Sequence, residues 1–344
     1  MTYHPIQPMF EGAVEIVGDL HGEITALRSL LARLGYRPDG RHPQGRRLVF
    51  VGDLVDRGED SPAVVDFVAD LMNRGLAQCV LGNHELNLLR GARKEGNGWF
   101  FAEDDHDKAN GHFIGRPKPE LATRSAILDW FAQLPLALER EDLRVVHACW
   151  DPPSIELLRN ESRPVMAIYN DWADRIDEGV RQVGLDVRKR GESDAWRSDL
   201  KDQSKVVPLL PAIAEFDVRN QSMNPVKALT SGIEQMTATP FFGGSKWRMT
   251  ERTAWWRTYE EAPAVVFGHY WRWSGDERDA TARSRGPNLF DGVAPWDWLG
   301  PRHNTMCVDY CAGLRWRERD QGVTQHTGVV AAIRWPERQV VVSE

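Results

Sequence analysis

Five times along this chain a short apolar run stops at a residue that can bind a metal ion. Residues 13–17 end at Gly18-Asp19-Leu20-His21-Gly22, residues 47–51 at Gly52-Asp53-Leu54-Val55-Asp56-Arg57-Gly58, and residues 78–81 at Gly82-Asn83-His84-Glu85. Two later runs, 143–147 and 265–267, end in His147 and lead into Gly268-His269. Short continuous apolar runs of this kind fit strands buried on both faces. Between the first three lie helical patterns. Residues 23–34 carry Ile24, Leu27, Leu30, Leu31 and Leu34 at helical spacing, and residues 61–74 start with Ser61 as a candidate N-cap and Pro62 at the first helical position. The order is β-α-β-α-β, and parallel α/β sheets carry their functional groups at the carboxyl ends of the strands.

Each of these strand ends is weak evidence alone, because a lone histidine after a strand is more often a hydrogen-bonded core residue. Together they would need five independent accidents. Two adjacent cations need a shared ligand and a mixture of hard oxygen and imidazole donors. A carboxylate has two oxygens and can bridge, which points to Asp53. Asp19 and His21 would complete the protein ligands of the first metal; the Asn83 carbonyl oxygen, His147 and His269 would complete the second. Glycines beside the ligands allow sharp turns and close backbone approach.

GDLHGE, GDLVDRG and VLGNHE, followed by Val145-Val146-His147-Ala148 and Phe267-Gly268-His269, resemble the signatures of the calcineurin-like metallophosphoesterases. The similarity is to the branch that holds phosphoprotein phosphatases and bacterial diadenosine tetraphosphate hydrolases. It covers roughly residues 13–150 and 263–343, where Cys307–Gly313 looks like the strand and turn after the last ligand. The resemblance implies an α/β fold, a four-layer α-β-β-α sandwich with two mixed sheets. It implies two divalent metals, Mn foremost with Fe or Zn as alternatives, and attack by a metal-bridging hydroxide. His84 would be the general acid and Asp56 would orient it, since a carboxylate on one imidazole nitrogen fixes the tautomer. Arg57 would clamp phosphate with its planar fork, and Asn83 would lie against phosphate as well as metal. Protein phosphatases of the branch carry Arg or Lys where this chain has Leu81. The tetraphosphate hydrolases usually have Asp where it has Glu85. These departures leave the substrate class open.

Residues 151–262 read as one mostly helical insertion, with segments near 162–188, 204–220 and 248–260, dividing a core made of 1–150 and 263–344. Leaving after His147 and returning before His269, it would wall the substrate cleft. Residues 91–118 and 272–302 read as loops, and 306–310, 328–335 and 339–343 as three strands. Lys246, Arg248, Arg252 and Arg257 lie together in the insertion, and Arg248 is the candidate for a second phosphate-gripping cation. Of the 14 Trp, Trp247, Trp255, Trp256, Trp271 and Trp273 flank His269; they are either a stacking platform for a base or packing of the insertion onto the core. A formal net charge of −7 gives no global field toward nucleic acid or membrane, though an RNA end stays open as a substrate. The four cysteines form no CxxC pair and read as buried thiols. With no leader-like start and no apolar run long enough to span a bilayer, a cytoplasmic address is expected. The expected function is hydrolysis of a phosphomonoester or phosphoanhydride, on a nucleotide or dinucleoside polyphosphate. The alternatives are a phosphoprotein (Ser/Thr) phosphatase and an inactive metal-binding scaffold.

Overall fold

The computed structural model describes residues 3–101, 119–243, 245–275 and 286–343. Among them are two five-stranded mixed sheets. The first has the order β1-β5-β6-β9-β10, built from β1 (Ile6–Pro8), β5 (Ala137–Glu139), β6 (Leu143–Val146), β9 (Ala264–Phe267) and β10 (Thr305–Cys307). The second has the order β12-β11-β2-β3-β4, built from β2 (Val14–Val17), β3 (Arg47–Phe50), β4 (Ala77–Cys79), β11 (Ala331–Trp335) and β12 (Gln339–Val342). In each sheet the strands that precede candidate ligands are parallel neighbours: β2, β3 and β4 in one, β6 and β9 in the other.

Side-chain alternation explains why the two sheets face each other. Val14, Ile16, Val49, Val51, Val145, Val266, Met306 and Ile333 pack together in one buried cluster between the sheets. Val17, Leu48, Phe50, Val146, Val265 and Phe267 point the other way, into helices. On the side of the second sheet these are α1 (Ile24–Leu34) and α2 (Ser61–Asn73). The α2 cap is Asp60, which accepts from Ala63 N, rather than Ser61, whose hydroxyl instead accepts from Asp56 N. Helix α3 (Asn83–Leu89) begins at a ligand candidate, and α4 is Leu121–Phe131. The result is a helix–sheet–sheet–helix sandwich. The loop read at 91–118 is described only to residue 101, and that at 272–302 lacks 276–285.

Residues 151–262 hold α5 (Pro152–Arg159), α6 (Val165–Gln182), α7 (Leu185–Ala195), α8 (Pro211–Ser222) and α9 (Pro225–Ser231). They also hold an antiparallel hairpin, β7 (Glu234–Gly243) and β8 (Lys246–Arg252). The helix expected over 248–260 is therefore a strand followed by a 3-10 turn at Trp255–Thr258. The sequence KWRMTER has a β-branched and an aromatic residue but no helical apolar stripe, and cross-strand pairing with β7 decides its state. Small clusters of their own, Ile176/Val180/Leu185/Ala212 and Val207/Leu210/Ala214/Met249, hold these elements together. Helix α10 is Arg315–Asp320. No helix among the described residues is long and apolar enough to cross a membrane, and all four cysteines are free and buried.

One polar cluster lies inside the helix-side core. Glu15, fully buried on β2, accepts from Arg46 Nε at 2.7 Å and from Arg334 Nε at 2.9 Å. Arg46 also donates to the Trp335 carbonyl (2.8 Å) and forks onto Glu337. Burial raises the Glu15 carboxyl above the usual range despite the two guanidiniums. Arg46→Ala should therefore lower unfolding free energy by about 3 kcal/mol, the lower end for stripping one partner from a buried ion pair, since Arg334 stays. Urea melts of the variant and of Glu15→Gln/Arg46→Ala check this: the double variant should recover part of the loss.

Candidate metal centre

The facing strand ends are joined by a backbone held in unusual conformations. His21, Asp53, Asp56, Arg57, His269, Trp271 and Cys311 all have positive φ, between 47° and 75°. Each such non-glycine residue is strained by roughly 1–3 kcal/mol and persists only where its surroundings over-determine it. Here the Asp53 carbonyl accepts from both Leu20 N (3.0 Å) and His21 N (2.8 Å), Gly58 N donates to the His21 carbonyl (2.7 Å), and Arg57 N donates to the Gly96 carbonyl (2.8 Å). Glycine is required beside the ligands. A Cβ at Gly82 would overlap Asp53 N and Oδ1, and one at Gly268 would overlap Asp19 Oδ1.

Two groups of three donors converge, and both contain Asp53: His21/Asp53/His84 and Asp53/His147/His269, with donor atoms in each group within 4.8 Å of one another. All of these residues are buried. His147 Nε2 lies 3.3 Å from Asp53 Oδ1, and His21 Nε2 lies 3.9 Å from Asp53 Oδ2. The opposite ring nitrogens face backbone: His147 Nδ1 is 2.7 Å from the Val51 carbonyl and His21 Nδ1 is 3.3 Å from the Val55 carbonyl. Such outer contacts fix the tautomer and leave Nε2 with a lone pair toward the centre. Asp19 sits at the edge, its Oδ2 4.0 Å from His21 Nε2 while its carboxylate accepts from His269 N.

Asn83 carries its side-chain oxygen 2.7 Å from His269 Nδ1 and 3.2 Å from His147 Nε2. The amide turned over would hydrogen-bond those nitrogens and Asp53 instead. The observed orientation brings carbonyl oxygen, imidazole lone pairs and carboxylate to one point, which is the donor set a divalent cation takes. Electrostatics points the same way. Burial, then Asp309 and Asp53, push the Asp19 carboxyl well above its usual range. Glu85 is pushed up to about 7 by burial and by Asp53. Burial would also raise Asp53, but the His147, His84 and His21 imidazoles reverse it and hold that carboxyl well below the ordinary value. Burial drives His21 and His269 toward the neutral, ligating form. Burial would lower His147 as well, but Asp53 and then Glu85 reverse it and raise that imidazole. Carboxylates crowded this closely draw in positive charge, which suits cations.

The pair expected for acid catalysis is also assembled: His84 Nδ1 lies 2.6 Å from Asp56 Oδ2. The other Asp56 oxygen accepts from Trp99 Nε1 at 2.7 Å. Arg57 Nη1 is 3.1 Å from His21 Nε2, and its guanidinium lies 5.4 Å from the Trp271 ring centre. Arg248 lines the same cavity as Arg57, and Arg252, also on β8, donates to the His269 carbonyl at 3.3 Å.

Several contributors escaped the sequence reading. Glu85 accepts from Asp53 N, Leu54 N and Gly82 N, so it pins the ligand loop rather than binding at the centre. Asp309 accepts from Trp271 N and Cys311 N and holds the turn after His269. It follows β10 by two residues, so the strand-then-acid pattern that singled out Asp19 would have found it. Trp99 had no signal, because only folding brings residue 99 to Asp56. Of the tryptophans, Trp255 and Trp256 are core: Trp256 stacks on Phe290 at 5.0 Å and on Phe267 at 5.3 Å. Trp271 and Trp273 line the cavity.

With this geometry, the model of the calcineurin-like phosphoesterase family matches residues 14–270. The chain belongs to that family. It is a metal-dependent phosphohydrolase. It is 44% identical over 194 residues to an asymmetrical bis(5′-nucleosyl)-tetraphosphatase PrpE of a Geobacillus species, covering 53% of this chain and 76% of that protein. It is 33% identical over 163 residues to a symmetrical bis(5′-nucleosyl)-tetraphosphatase of a Marinomonas species, covering 43% of this chain and 50% of that one. Among solved structures, the cold-active protein-tyrosine phosphatase of a psychrophilic Shewanella species aligns with 15% identity and a TM-score of 0.44, over 100% of this chain and 83% of that one.

Because both donor groups share Asp53, Asp53→Asn should lower the divalent-metal content of the purified protein, measured by elemental analysis, further than His147→Ala, which removes a donor from one group only. Equal metal content in the two variants would show that Asp53 does not serve both groups.

Proposed function

We propose that this phosphoesterase holds two divalent cations around Asp53 and hydrolyses a phosphomonoester or phosphoanhydride, with a nucleotide or dinucleoside polyphosphate as substrate. The observation that carries the reading is the sharing of Asp53 by two donor groups, the first of which includes His84, whose Nδ1 lies on Asp56. Asp19, His21 and Asp53 would hold one cation, and Asp53, Asn83, His147 and His269 the other, with Mn, Fe or Zn as the metals. When bound, such ions lower the pKa of a water and neutralise phosphoryl oxygens.

The chain's own residues supply the rest. With Nδ1 on Asp56, His84 keeps Nε2, 3.9 Å from Asp53 Oδ2, on the side of the cations and of a bound phosphate. From there it would protonate the leaving oxygen. Trp99 and Ser61 brace Asp56, by its side chain and its backbone N respectively, and so fix the imidazole. Arg57 would grip phosphoryl oxygens in a bidentate fork, with Asn83 at the border between ligand and phosphate contact.

Residues 151–262 are read as an insertion that walls the cleft. Ala148 N donates to the Leu229 carbonyl, Trp255 Nε1 donates to the Ala148 carbonyl, and Arg252 reaches the His269 carbonyl. The insertion thus touches the neighbours of both histidine ligands. A small phosphorylated molecule fits such a narrowed groove better than a protein loop. The two tetraphosphatases similar to this chain support a dinucleoside polyphosphate.

With Mn²⁺, turnover should be measured on p-nitrophenyl phosphate, diadenosine tetraphosphate, a 5′-triphosphorylated RNA and a phosphopeptide. Diadenosine tetraphosphate should give the highest kcat/KM. A higher value for the phosphopeptide would make the chain a protein phosphatase, and no turnover with any metal would make it a scaffold.

The acid role has a separate check. His84→Asn should keep metal content and lower kcat on diadenosine tetraphosphate by about 10²–10⁴, with a much smaller loss on p-nitrophenyl phosphate, whose leaving group scarcely needs a proton. Trp99→Phe should show the same bias at reduced size. Equal losses on both substrates would take His84 and Trp99 out of these roles.

A further inference from the structure

Beside the metal centre lies a cavity of about 350 Å³, bounded by the β7–β8 hairpin and by segments 270–275 and 286–295. Arg57 stands at its inner end, next to His21. From there Arg252, Thr250 and Arg248 line it in turn. They are alternate residues of β8, so their side chains share one face of the strand. Phe241, the cross-strand partner of Arg248, and Trp273 add aromatic walls.

Among its lining residues the cavity has four guanidiniums, Arg57, Arg248, Arg252 and Arg272, against two carboxylates, Glu234 and Glu251. Glu234 accepts from the Thr250 hydroxyl, and Glu251 accepts from Gln235 and Thr237. Arg248 and Arg252 bond backbone carbonyls, and Arg57 Nη1 lies on His21 Nε2, so their hydrogen bonds go to no carboxylate among the described residues. The two β8 guanidiniums are also kept apart. Arg252 is tethered to the His269 carbonyl, at the metal end. Arg248 is tethered through Nε to the Gly243 carbonyl (2.9 Å), at the hairpin tip. Their backbone positions are about 13 Å apart along an extended strand, too far for one phosphate group to occupy both places.

From this arrangement, and resting on the phosphoesterase reading above, we propose that the cavity is the subsite for one nucleoside carried on a chain of several phosphates. The reacting phosphate lies at Arg57 and the cations. Arg252 and Arg248 meet further phosphates in succession, and Phe241, beside Arg248, takes the planar base. The volume is near the lower limit for small-molecule pockets, about 300 Å³, so it accommodates one nucleoside and leaves the second half of a dinucleoside substrate outside. The specificity is then for a terminal nucleoside polyphosphate, and a free second nucleoside is dispensable. The hairpin that builds the subsite lies within the insertion.

The test uses the full chain with Mn²⁺ and two readouts. In the first, kcat/KM is measured for adenosine 5′-tetraphosphate, diadenosine tetraphosphate and p-nitrophenyl phosphate. The two adenosine compounds should be within a few-fold of each other. Arg248→Ala should lower kcat/KM for both by at least about tenfold more than for p-nitrophenyl phosphate, the scale of one hydrogen bond to a charged group, mainly through KM. Arg248→Lys should restore part of that loss. Equal losses on all three substrates overturn the subsite while leaving the phosphoesterase reading intact. The second readout is calorimetric binding of adenosine 5′-(β,γ-methylene)triphosphate, which does not depend on turnover. Arg248→Ala and Phe241→Ala should each weaken it about tenfold or more. If wild type hydrolyses nothing, the functional reading falls, and the binding result still decides the subsite: unchanged affinity in both variants overturns it.

Discussion

Everything at this centre is organised around one buried carboxylate. Asp53 follows β3 and faces donors delivered by both sheets: His21 and His84 from its own sheet, His147 and His269 from the other. Burying a carboxylate is costly unless partners offset it. Here three imidazoles hold it ionised, and its own backbone is held by Glu85, which accepts from Asp53 N and Leu54 N. Asp19, Glu85 and Asp309 then crowd further acids nearby, each raised by burial. The surplus of negative charge is the physical reason to expect cations, and it makes the positions of surrounding groups depend on the placement of this one side chain.

The two sheets make that placement rigid. Their shared apolar interface fixes how the strand ends meet, and His147 bonds across it to the Val51 carbonyl. The turns that follow adopt left-handed conformations at seven non-glycine residues of the centre. Strain of that kind is tolerable because the flanking strands are buried on both faces and cannot relax. Gly82 and Gly268 serve a different need, the close approach of backbone to the Asp53 and Asp19 carboxylates.

Residues 151–262 work on a different scale. Their helices and hairpin have small clusters of their own, but α9, Trp255 and Arg252 anchor them beside His147 and His269. In the proposed reading, chemistry resides in the core and selectivity in the hairpin.

The sequence by itself determined the strand ends, the parallel order of β2, β3 and β4, and the residues gathered at the centre. Short apolar runs ending at glycine and a polar residue are a local signal, and a buried strand has few other ways to end. Asp19, His21, Asp53, Asn83, His147 and His269 were legible for that reason, and so were His84, Asp56 and Arg57 within the same motifs. Helix α1 was legible from its apolar spacing. What required the tertiary structure were pairings between distant segments. The state of residues 246–252 depends on β7, not on their own propensity. Trp99 reaches Asp56 across 43 residues. Trp256 is core while Trp271 and Trp273 line a cavity, although the three lie within one stretch of sequence. Local pattern can specify where a strand stops, but which side chains meet there is decided by packing, and packing energy is non-directional until the whole chain is in place.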